Sequence, residues 1–94
     1  MKPSELLAQP GAWTQGAVAR LADGETCDPR HVEAVSWCLA GAMDRCRTTV
    51  ADKKALHTEL RKGRRFPDYL MSHYNDAPGR TQAEVVALLK EAGL

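Results

Sequence analysis

Residues 28–47 read DPRHVEAVSWCLAGAMDRCR, and the reading of this stretch decides the fold. Asp28-Pro29 is a helix-start signal: aspartate accepts hydrogen bonds from free first-turn N–H groups, and proline fits the first helical position. Beyond it, Val32, Val35, Leu39, Ala42, Met43 and Cys46 recur at steps of three and four, the period of one helix face. Trp37 and Cys38 widen that stripe. The spacing predicts a central helix from Pro29 to Arg47. Gly41 inside it costs about 1 kcal/mol against alanine, which points to close approach by another backbone there.

Upstream, Trp13, Gln15, Ala17, Ala19 and Leu21 alternate with Thr14, Gly16, Val18 and Arg20, a weak period of two. Asp23-Gly24 supplies a tight turn, and Glu25-Thr26-Cys27 reads as a short return strand. Such a hairpin must pack on a helix to persist. At the start, Pro3 and Glu5 suit a helical first turn, Leu6 and Leu7 give an apolar side, and Pro10-Gly11 ends the helix near Gln9.

Downstream, Thr49 with Asp52 forms an imperfect capping box for a helix carrying Ala55, Leu56 and Leu60, ended by Lys62-Gly63. Pro67 is expected to open a short helix with Leu70, Met71 and Tyr74, broken by residues 75–79. Thr81-Gln82-Ala83-Glu84 is a full capping box, and Val85, Leu88, Leu89 and Ala92 follow at i, i+3, i+4 and i+7. The expected fold is one domain over residues 1–94, mainly α: a compact bundle of four or five helices with a small two-stranded β-hairpin.

Composition agrees. The chain has 94 residues, 44% hydrophobic but rich in alanine, with no isoleucine and one phenylalanine. Small residues and few β-branched ones favour close-packed helices. The net charge of +1 implies neither nucleic acid nor membrane by itself. Its distribution is uneven: residues 51–65 hold six basic and two acidic groups, net +4, while residues 1–35 and 66–94 are each net −2. Three cysteines match no disulfide framework, no apolar h-region follows Met1, and no apolar run approaches the ~20 residues of a membrane span. A cytoplasmic protein with reduced thiols is expected.

Three motifs stand out together: Trp13-Thr14-Gln15-Gly16-Ala17, Trp37-Cys38-Leu39-Ala40-Gly41-Ala42, and Asn75-Asp76-Ala77-Pro78-Gly79-Arg80-Thr81 with Glu84-Val85. The set resembles a family of short bacterial and phage proteins known only as a domain of unknown function. Tyr74 stands where that pattern has tryptophan, and the first helix is shorter. The resemblance implies a bacterial or phage origin and a compact fold, and it implies no activity.

Candidate chemistry is sparse. Cys27, His31, Cys38 and Cys46 fall in one region without metal-ligand spacing; His31 and Cys38 would lie about 10 Å apart along a helix, too far to share an ion. Buried apolar cysteines are the favoured reading, with no metal and no cofactor. No nucleophile elbow, phosphate loop or paired acid and base is present, and His57 and His73 are isolated, so no enzyme is expected. Cys38 in an apolar stripe should have a raised thiol pKa.

Lys53, Lys54, Arg61, Lys62, Arg64 and Arg65 are the strongest positive signal. They suit phosphate contact, and equally a solvated face with favourable C-terminal charges. Few aromatics interleave with them, which argues against base stacking. Asn75, Asp76 and Arg80 form a second candidate surface. The local alternative is an Asp76–Arg80 pair, Asn75 bonded to nearby backbone, and a type II turn at Pro78-Gly79. Trp13 and Trp37 read as core anchors, with a ligand pocket between them as the lesser alternative. The expected function is a non-enzymatic binding or regulatory protein acting through a protein partner. A nucleic-acid accessory role through the basic patch is the alternative. No membrane association is expected, and a homodimer is compatible with so small a chain.

Overall fold

A computed structural model describes residues 1–94. The elements in order are α1 (Pro3–Ala8), β1 (Ala19–Arg20), β2 (Ser36–Trp37), α2 (Leu39–Arg45), α3 (Val50–Arg61), α4 (Met71–Asp76) and α5 (Gln82–Glu91). The chain is mainly α with a small two-stranded antiparallel sheet. No helix is long and apolar enough to cross a membrane.

The central helix is much shorter than its spacing predicts. It begins at Leu39, with Cys38 as N-cap, and residues 29–38 are turns and strand. Asp28 does act locally: its carboxylate accepts the Arg30 N–H at 2.8 Å, and its carbonyl accepts the His31 N–H at 3.0 Å. No helix propagates because the next backbone groups have partners elsewhere. The Val35 N–H donates to the Arg20 carbonyl at 2.9 Å, Trp37 N–H to Ala12 at 2.8 Å, and Cys38 N–H to Val18 at 3.2 Å. The turn's own carbonyls are taken by side chains. Pro29 accepts the Trp37 indole N–H at 2.9 Å, and His31 accepts Arg45 at 2.7 Å. Val32 and Val35 are consequently exposed, at 87% and 47%, while Leu39, Ala42 and Met43 reach the core.

The Asp23-Gly24 turn forms, with the Leu21 N–H on the Glu25 carbonyl at 2.8 Å. The return strand is not the expected one. Ala19 pairs with Trp37 and Arg20 with Ser36, whereas Thr26 makes one isolated bridge to Arg20. Trp13 bridges the other side of Trp37 in parallel. Gly41 is packed as its position implies: a Cβ there would collide with the Val18 carbonyl oxygen. The segment entering β1 therefore lies directly on α2.

The capped helices follow their sequence signals. Thr49 and Thr81 each accept the N–H three residues on, and Asp52 and Glu84 return the bond. Leu56 and Leu60 of α3 and Val85, Leu88 and Leu89 of α5 are buried with Leu6 and Leu7 of α1. The α1 helix packs chiefly on α5. Gln82 joins them by donating to the Leu7 and Gln9 carbonyls at 2.7 and 2.8 Å, which closes the C-terminal end of α1. Ser4 donates its N–H and hydroxyl to the Leu94 carbonyl at 3.2 and 2.9 Å.

Pro67 does not open α4. It lies in a turn, and the helix starts at Met71 after Leu70. Asn75 and Asp76 belong to its last turn rather than to the break, which falls at Ala77–Gly79. Ala77 accepts the Arg80 N–H at 3.0 Å, and Gly79 has φ +81°, as a type II turn requires.

Candidate functional site

The three motifs meet at Asn75. Its side chain is 1% exposed, and all four of its amide bonds are made. Oδ1 accepts the Trp13 indole N–H at 2.7 Å and the Leu39 backbone N–H at 2.9 Å. Nδ2 donates to the Thr14 carbonyl at 3.0 Å and to Asp76 Oδ1 at 2.9 Å. The Leu39 N–H is one of the orphan donors at the start of α2, so Asn75 caps a helix it does not belong to. Asp76 Oδ1 also accepts the Gly16 N–H at 3.0 Å. Gln15 completes the join by donating to the Asn75 and Ala77 carbonyls at 2.9 and 3.2 Å, at the end of α4.

This arrangement corrects the local reading of the loop. Asn75 binds residues 36 to 62 positions away rather than nearby backbone. Asp76 and Arg80 do not pair. Asp76 is held by Gly16 and Asn75, whereas Arg80 donates Nε to the Tyr74 carbonyl at 2.8 Å and pairs with Glu84 at 3.3 Å. Its guanidinium lies 3.8 Å from the Tyr74 ring centroid. Asn75, Asp76 and Arg80 are thus committed to internal contacts. Their chemistry fastens α4 to the N-terminal loop and leaves little to offer a ligand.

A cleft of about 210 Å³ opens beside this join, lined by Gly16–Val18, Cys38, Ala40, Met71 and neighbouring residues of α4. It falls below the usual 300–1,000 Å³ of small-molecule pockets. Neither indole lines the larger clefts. Burial pushes the Cys38 thiol up, against a pull from the Gly41 N–H that its sulfur accepts at 3.3 Å. Cys38 is therefore a neutral thiol at neutral pH and a poor nucleophile. Burial raises Cys46 in the same way. His31 Nδ1 accepts the Glu33 N–H at 3.0 Å, and no three His, Cys, Asp or Glu side chains converge on one point.

The six cations of residues 53–65 divide into two sets. Lys62 is tied to Glu59 at 2.7 Å. Arg64 donates to the Glu59 and Leu60 carbonyls at 3.3 and 3.1 Å, closing the end of α3, and stacks 4.7 Å from the Tyr74 centroid. These two are structural. Lys53, Lys54, Arg61 and Arg65 face outward. None of the chain's ion pairs involves them; these are Arg30–Asp44, Lys62–Glu59 and Arg80–Glu84.

Aromatic rings do accompany this set, contrary to the sequence reading. Arg61 lies 4.7 Å from the Tyr69 ring centroid, and Phe66 meets Tyr69 edge-on at 6.0 Å. Phe66 is 71% exposed. The signal was present in the sequence, since Phe66 and Tyr69 directly follow the arginines, but it takes the turn at residues 65–70 to fold them back onto Arg61.

No curated protein and no solved structure matches the chain. Residues 3–93 match a family described as one of unknown function, DUF6197. The match spans nearly the whole chain, and the chain belongs to that family.

Proposed function

We propose that this is a small, non-enzymatic binding or regulatory protein of the cytoplasm that acts through a protein partner, engaged at the outward surface of α3 and the connector after it. The observation that carries this reading is Phe66, 71% exposed and joined through Tyr69 to Arg61. Phe66 adds nothing to the core, and with Tyr69 and Arg61 it forms an exposed patch rather than a lone surface side chain. Aromatic and arginine side chains together are the residues that dominate binding energy at protein interfaces. The motif residues support the same division of labour, since Trp13, Asn75 and Asp76 are spent on internal bonds. The proposed setting in phage–host biology rests on the resemblance to bacterial and phage proteins alone.

A second reading has its own observation. Lys53, Lys54, Arg61 and Arg65 are outward and unpaired, which suits nucleic-acid phosphates. Photo-crosslinking separates the two. Benzoylphenylalanine is placed at position 66, and separately at exposed position 87 on α5, in cells of the source organism. A nuclease-resistant protein adduct of one mass at position 66, absent at 87, is the expected result. A nuclease-sensitive adduct transfers the function to nucleic acid, and equal labelling at both positions contradicts the assigned surface.

A further inference from the structure

The outward face of α3 has a pattern that specifies its partner. A helix turns 100° per residue, so Val50, Lys54, His57 and Arg61, at i, i+4, i+7 and i+11, fall in one narrow stripe. All four are exposed, whereas Leu56 and Leu60, roughly 90–130° further round the helix, are buried. The stripe runs roughly 16 Å. It starts at Val50, 69% exposed, and passes through Lys54 and His57 to Arg61. From there the Arg61–Tyr69–Phe66 contacts carry it to a second exposed apolar side chain. Side chains at this spacing stay on one line along the helix, so a helix laid alongside α3 meets all four. Apolar ends fix a partner in register, and the cationic middle selects its sign.

Charge decides between occupants. Lys54 and Arg61 on the stripe, with Lys53 and Arg65 beside it, are outward cations in no ion pair. A second copy docked face to face would set this charge against itself, so the stripe is not a self-association seam. A duplex would use the cations and leave Val50 and Phe66 unused. An acidic helix with glutamates facing Lys54 and Arg61 and an apolar side chain toward each end uses every feature.

Resting on the protein-partner reading above, we propose that the stripe from Val50 to Phe66 docks an acidic amphipathic helix of that partner. The probe is a fluorescein-labelled 18-residue helical peptide with one face carrying a leucine toward each end and glutamates between them. Comparison ligands are the same composition scrambled, 18 glutamates, and an 18-nucleotide thymidine strand, all measured by polarisation at low and physiological salt. The patterned peptide is expected to bind at least about tenfold more tightly than the other three. Val50→Ser and Phe66→Ser should each weaken it about fivefold or more. Lys54→Gln with Arg61→Gln should weaken it and flatten its salt dependence, and Lys90→Gln on α5 should leave it unchanged. Equal binding of the scrambled peptide, tightest binding of the thymidine strand, or no binding at all each overturns the proposal. A protein adduct at position 66 without patterned-peptide binding would refute the acidic helix alone. Absence of any protein adduct would refute the broader reading.

Discussion

Replacing Asn75 by alanine should cost this protein a large share of its stability. The substitution removes four hydrogen bonds at once, to Trp13, Leu39, Thr14 and Asp76. The bonds are not equal. The Leu39 N–H is buried and has no other acceptor, so orphaning it costs about 1–3 kcal/mol. The Trp13 indole N–H and the Thr14 carbonyl are only part-buried and can recruit water, so each loses about 0.5–1.5 kcal/mol. Asp76 keeps its bond to the Gly16 N–H and loses less. The sum is about 2–6 kcal/mol, against a total of roughly 5–14 kcal/mol for a chain of this length. At 4–8 °C per kcal/mol, Tm should fall by at least about 8 °C.

Urea unfolding followed by tryptophan fluorescence gives the free energy directly. Trp13→Phe keeps an aromatic side chain but loses the indole N–H together with the pyrrole ring that carries it, and should cost at least about 1 kcal/mol. In a double-mutant cycle, the pair with Asn75→Ala should show coupling of at least about 0.5 kcal/mol. A loss below 1 kcal/mol for Asn75→Ala, or additive effects with Trp13→Phe, would refute the role assigned to this join.

Other outcomes follow from the same contacts. Gly41→Ala, normally worth about 1 kcal/mol of gain inside a helix, should instead destabilise, because the new Cβ meets the Val18 carbonyl; calorimetry gives the sign. Thr81→Ala should cost about 1 kcal/mol through the lost cap of α5, measured by chemical denaturation. Glu84 is held below the usual carboxylate range by the Thr81 N–H and hydroxyl. Its contribution is therefore present above the unfolded carboxylate pKa and lost as pH falls through the lower folded one. Wild type should lose stability in that acid window, and Glu84→Gln should flatten the limb in a pH series of melts. Cys38 should be the last thiol alkylated by iodoacetamide at pH 8, because it is both buried and raised; labelling ahead of Cys27 in a timed mass-spectrometric series would contradict this.

What the sequence made legible was what neighbours in sequence decide. The caps of α3 and α5 involve residues three apart, and both helices begin where Thr49 and Thr81 announce them. The close packing at Gly41 was legible because a helical glycine is unfavourable unless something uses the space. The stretch from Pro29 to Cys38 was not legible. Its valine spacing fits a helix, but its N–H groups and carbonyls are claimed by Ala12, Val18, Arg20 and Arg45, and no local pattern reports such competition. The role of Asn75 was hidden for the same reason: its partners sit on two other motifs. Only the joint occurrence of the three motifs hinted that they touch. Of the basic cluster, Lys62 and Arg64 proved to be fasteners for the end of α3, a use that the charge count did not distinguish from an outward cation.

Some residues of this chain hold the fold and others are proposed to meet a partner, and Phe66→Ser tests that separation most directly. A single preparation is measured twice, for thermal unfolding and for binding of the patterned acidic peptide. Because Phe66 is largely exposed, Tm should stay within about 4 °C of wild type, with binding weakened about fivefold or more. Unchanged binding, or a Tm loss as large as that of Asn75→Ala, would contradict it.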